Sequence, residues 1–67
     1  MNTVKCVRVY NDGSRHQDLL TPTEAELEIA YNKQYRPGVA FFVDGECRQT
    51  GYLSVERCME IVRELQS

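Results

Sequence analysis

The chain has 67 residues, a formal charge of −2 and three cysteines, with 42% apolar and 27% charged positions. That make-up excludes a disordered polar segment, and the acidic balance speaks against a general nucleic-acid coat, which needs a basic surplus to displace counterions. One domain is expected, with a core that removes only about 60% of the unfolded surface from water.

In chain order, the opening residues alternate in polarity and carry Lys5 and Arg8, unlike the apolar stretch of a secretory leader. A strand is predicted over about Thr3–Asn11, an Asp12-Gly13 turn follows, and a second strand covers Ser14–Leu20. Asp and Gly tolerate the positive φ angles of a tight hairpin turn, whereas the loop length and register stay open. Thr21-Pro22-Thr23-Glu24 reads as a capping box with proline in the first helical position. In the helix it starts, Leu27, Ala30 and Tyr31 form an apolar face, and Ala25 and Ile29 fall off it. Arg36-Pro37-Gly38 ends that helix and turns the chain.

A second hairpin follows, with strands over Val39–Asp44 and Glu46–Tyr52 about an Asp44-Gly45 turn. The run Val39–Val43 is far too short to cross a bilayer. Ser54 is placed to cap the last helix. There Val55, Cys58, Met59, Ile61, Val62 and Leu65 cover one arc, and charged residues cover the other.

Residues 7–33 align without gaps on residues 39–65. Val7 meets Val39, Asp12 meets Asp44, Gly13 meets Gly45 and Gln17 meets Gln49; Glu24, Glu28 and Ile29 meet Glu56, Glu60 and Ile61. Self-similarity at this period marks a repeated supersecondary unit. The expectation is an α+β domain spanning 1–67, duplicated as ββα-ββα in halves of about 3–35 and 36–67. Its four strands form one antiparallel sheet with both helices packed on one face, related by an approximate twofold.

No motif of phosphate binding, zinc proteolysis or serine hydrolysis is present, and no catalytic residue is assigned. His16 with Cys6 or Cys47 is the one thiolate–imidazole combination available, but the position equivalent to His16 holds Arg48. Cys6, Cys47, Cys58 and His16 have the count for zinc but no C-x₂₋₄-C anchor, so neither metal nor cofactor is expected. Odd, irregularly spaced cysteines read as reduced thiols in a cytoplasmic chain, with Cys58 in the core and Cys47 the most exposed.

The helices hold most of the acid, in Glu24, Glu26, Glu28, Glu56, Glu60 and Glu64, whereas the strands are mildly basic. The acid reads first as a solvated face and second as a patch for a basic partner. If Val9 and Phe41 face the helices, alternation leaves Arg8, Tyr10 and Phe42 on an uncovered sheet face, with His16, Arg48 and Tyr52 beside them. Aromatic and arginine side chains on an open face form a binding surface.

The function expected is therefore a small non-enzymatic protein-binding module, an inhibitor or adaptor. Size, acidity and lack of motifs are the profile of phage and mobile-element products that block a host protein, anti-defence inhibitors among them. A homodimer through the apolar sheet face is a further partner class. The alternative is an RNA or single-stranded nucleic-acid binder stacking bases on Tyr10, Phe42 and Tyr52, which the net acidity disfavours.

Overall fold

Four strands in the order β2-β1-β3-β4 make one wholly antiparallel sheet, and a helix follows each hairpin. The computed structural model describes residues 2–67. Strand β1 (Val4–Val9) pairs with β2 (Arg15–Leu20), helix α1 covers Pro22–Tyr35, β3 (Ala40–Val43) pairs with β4 (Glu46–Gln49), and α2 covers Val55–Gln66. None of these helices is long and apolar enough to cross a membrane.

Local chemistry sets these boundaries. At the first hairpin the Gly13 amide donates to the Tyr10 carbonyl at 2.9 Å and the Ser14 amide to Asp12 Oδ1 at 2.9 Å. The second turn has two residues, both with positive φ, Asp44 at 51° and Gly45 at 82°. That backbone matches the twist of the flanking strands. The Thr21 capping box is closed in both directions: Glu24 N donates to Thr21 Oγ1 at 3.2 Å, and Thr21 N to Glu24 Oε1 at 2.9 Å. Ser54 Oγ accepts from Arg57 N at 3.2 Å and starts α2. Strand β4 stops at Gln49, short of the expected Tyr52, because the chain turns through Gly51 at a φ of 63°.

The α+β class, the single antiparallel sheet and the two helices are as the sequence implies. The placement of the helices is not. Helix α1 buries Ala25 and Ile29 against Cys6 and Phe41, with Val4, Leu20 and Val43 around them. Helix α2 buries Ile61 against Val7, Val9, Ala40 and Phe42. Cys6 and Val7 are neighbours in one strand, as are Phe41 and Phe42 in another, so the helices lie on opposite faces. The molecule has three layers, helix, sheet and helix, and the expectation of two helices on one face is corrected.

Register is the cause. Across the central pair Val7 stands opposite Phe42, and Val9 opposite Ala40. In the aligned halves Phe42 is the counterpart of Tyr10, which lies an odd number of residues from Val7 and so points to the other side. The pairing thus joins the face that α1 avoids in the first half to the face that α2 covers in the second. A slip of one residue would have put both helices on one side. The ββα order occurs twice, but the expected twofold does not relate the halves.

With both faces covered, the central strands are apolar on both sides. Cys6, Val7, Val9, Ala40, Phe41 and Phe42 are all buried. Burial of a large apolar side chain contributes roughly 1.5–3 kcal/mol. The exception in the interior is Asn32 on the sheet-facing side of α1: it is fully buried, and neither its amide nitrogen nor its amide oxygen has a hydrogen-bond partner.

Candidate interaction surface

The six residues expected on an open sheet face do not form one surface. Phe42 is 0% exposed beneath α2, which corrects its assignment as a contact residue. Arg8 is half-buried on the α1 side, and its Nη2 donates to Asp18 Oδ2 at 2.9 Å. Tyr10 meets the His16 ring edge-to-face, with centroids 5.1 Å apart. Since Arg8 pairs with His16 and Cys6 with Asp18, these residues share the α1 face at the edge of the sheet.

Arg48 lies away from them on β4, where its Nη2 donates to Glu26 Oε1 on α1 at 2.8 Å. Tyr52 is 72% exposed beyond the end of β4, with its ring lying over Gly38. The structure therefore brings together Arg8, Tyr10 and His16 but separates them from Phe42, Arg48 and Tyr52.

The cysteines are divided between the two faces of the sheet. Cys6 is buried against α1, and burial, followed by the nearby Asp18 and Glu28 carboxylates, pushes its thiol up from the ordinary range. Cys47 and Cys58 belong to the α2 side, so the sheet stands between them and Cys6. Among the described residues no three groups of metal-ligating type converge.

An exposed apolar stripe lies on α1. Ala25, Ile29 and Asn32 face the sheet, which leaves Leu27, Tyr31 and Tyr35 in a stripe at four-residue spacing on the far side. Leu27 is 67%, Tyr31 47% and Tyr35 63% exposed. The Tyr31 and Tyr35 rings are 4.9 Å apart between centroids, and the Arg36 guanidinium sits 5.2 Å from the Tyr31 centroid. These contacts limit ring motion and so reduce the entropy lost on binding.

Beside the stripe a shallow hollow of about 450 Å³ is lined by Leu20, Glu24, Leu27, Glu28 and Tyr31. Two carboxylates thus border an apolar floor. Glu24 is held below the usual carboxylate range by the backbone and hydroxyl hydrogen bonds of Thr21, so it carries its charge at neutral pH.

The sequence pattern marks Leu27, Ala30 and Tyr31 as the apolar face of α1 and leaves Ala25 and Ile29 off it. Ala25 and Ile29 take the inner position instead, packed against Phe41 and Cys6. The signal was the pair of apolar sides on one helix. A helix with one core to cover needs only one.

No family model, curated protein or solved structure matches the chain.

Proposed function

We propose that this chain is a small non-enzymatic protein-binding module, an inhibitor or adaptor. In this reading it uses the outer stripe of α1 to hold a partner that offers an apolar anchor flanked by basic residues. The observation that carries it is the exposure of Leu27, Tyr31 and Tyr35 in one line on a helix whose opposite side is already buried. Exposed large apolar groups lower solubility and gain nothing for the fold, so a contiguous line of them is best explained by a partner. Tyrosine anchors contribute large contact area at small entropic loss. Glu24 and Glu28 at the rim supply the complementarity for basic groups, in keeping with the overall charge of −2. The three cysteines are unpaired, which suits a reducing compartment such as the cytoplasm.

The test is capture of a partner by the immobilised chain, repeated with Leu27→Ala, Tyr31→Ala and, as controls, Tyr10→Ala and Tyr52→Ala. Loss of capture only in the α1 variants, with unchanged circular dichroism, supports the reading. Capture that survives Leu27→Ala and Tyr31→Ala overturns it. So does tight binding of single-stranded RNA with a steep salt dependence.

A further inference from the structure

On the α2 side of the sheet, Cys47 of β4 and Cys58 of α2 line one apolar groove of about 380 Å³, together with Thr50, Val55, Met59, Val62 and Arg63. Cys47 belongs to β4, which packs under α2, and Cys58 closes the first turn of that helix. Both side chains therefore border the same space between the strand and the helix. Cys58 is buried, while Cys47 is half-buried and reachable through the groove. Cys6 lies across the sheet against Ala25, Ile29 and Phe41, so it cannot join them without unfolding.

We infer that Cys47 and Cys58 form a reversible dithiol–disulfide pair, a modification site that clamps the first turn of α2 to β4 when a hydroperoxide or a small disulfide oxidises it. This inference does not depend on the reading of α1, which lies on the other face. With hydrogen peroxide, the Cys47 thiolate attacks one oxygen and the O–O bond breaks. The hydroxide that leaves takes up a proton as water, and Cys47 becomes a sulfenic acid. The Cys58 sulfur then attacks the Cys47 sulfur, the S–O bond breaks, and a second water departs with the Cys58 proton. Two thiols have lost two electrons and two hydrogens, and the peroxide is reduced to two waters.

With oxidised glutathione, Cys47 first forms a mixed disulfide and releases one glutathione thiol. Cys58 then displaces the second. Burial, and next the neighbouring Cys58, raise the Cys47 thiol above its ordinary range, so the thiolate is scarce at neutral pH and oxidation accelerates as pH rises.

The bond would close the segment from Cys47 to Cys58, which holds the Gly51 turn and the Ser54 cap, and so would fix the helix start that frames the groove.

The experiment treats the full chain with hydrogen peroxide and, separately, with oxidised glutathione. Remaining thiols are alkylated under denaturing conditions and the peptides are read by mass spectrometry. The expected product is monomeric, with Cys47 linked to Cys58, Cys6 alkylated, a higher thermal midpoint and slower amide exchange in α2, all reversed by dithiothreitol. In Cys58→Ser, Cys47 should stop at the glutathione adduct. In Cys47→Ser, Cys58 should stay reduced, and this variant keeps the test usable if the buried Cys58 substitution unfolds. Wild-type protein in which Cys47 keeps glutathione while Cys58 remains alkylatable overturns the proposal. A disulfide between two chains, or one involving Cys6 in folded protein, does the same.

Discussion

Val7 faces Phe42 across the two central strands, and both side chains lie under α2. One step along each strand, Cys6 and Phe41 point to the other side and lie under α1. The adjacent phenylalanines therefore serve two separate clusters.

Phe41→Ala and Phe42→Ala should each destabilise the fold by about 3–5 kcal/mol, the range for deleting a buried aromatic ring. Urea titration followed by circular dichroism measures both. Tyr10→Ala, at a half-buried rim position, should lose much less. A sheet bare on one side would give a small loss for one of the phenylalanines.

Asn32 is buried with both amide atoms unpartnered, so it gives up hydration with no hydrogen bond in return. Asn32→Leu, which keeps the branched heavy-atom skeleton, should be neutral or stabilising by about 1 kcal/mol, since an unsatisfied buried polar group carries a penalty of about 1–3 kcal/mol. Asn32→Ala should fall below Asn32→Leu because it leaves a hollow. A marked loss in Asn32→Leu would show that the amide is satisfied in solution.

Gly51 and Gly13 both have positive φ, at 63° and 87°, but in different surroundings. A Cβ at Gly51 would come 2.5 Å from the Gly38 carbonyl oxygen and 2.9 Å from the Ala40 nitrogen, whereas one at Gly13 meets nothing within 4 Å. Gly13→Ala should show only backbone strain, about 1–3 kcal/mol. Gly51→Ala should lose more, since backbone at the start of β3 must also move. Thermal melts of the two variants side by side give the comparison.

Acid stability depends on carboxylates held low in the folded state. Glu24 is lowered by Thr21, Glu64 first by Arg15, and Asp12 by Ser14. A depressed folded value means that the contribution is present above the unfolded value and is lost as pH falls through the folded one. The chain should hold its stability at neutral pH and lose it below the ordinary carboxylate range. Glu24→Gln should flatten part of that acid limb. At the other extreme, Cys6 and Cys47 have raised folded values, so their contribution is full below the ordinary thiol range and fades as pH climbs above it.

The capping box, the Asp-Gly turns and the clean second helix were legible because each is a local matter, settled by a few adjacent residues. The side of the sheet on which each helix lies was not, because it turns on one residue of register between strands far apart in sequence. One clue was present. Val39–Val43 is apolar without alternation, the pattern of a strand buried on both faces, and it argued against a bare sheet. The duplication concealed this, since aligned halves suggest symmetric packing. On α1, the hidden Asn32 and the outward Tyr31 reversed their usual tendencies, so composition pointed to the wrong side of the helix.

The interior is woven from both halves of the chain. Phe41 from the second half lies under α1 of the first, and Val7 and Val9 from the first lie under α2 of the second. Severed near Gly38, each fragment would retain a helix missing part of its bed, and neither should fold by itself. Mixed together, the fragments could rebuild the shared interior, so the natural unit of cooperative unfolding is the entire polypeptide rather than the ββα segment.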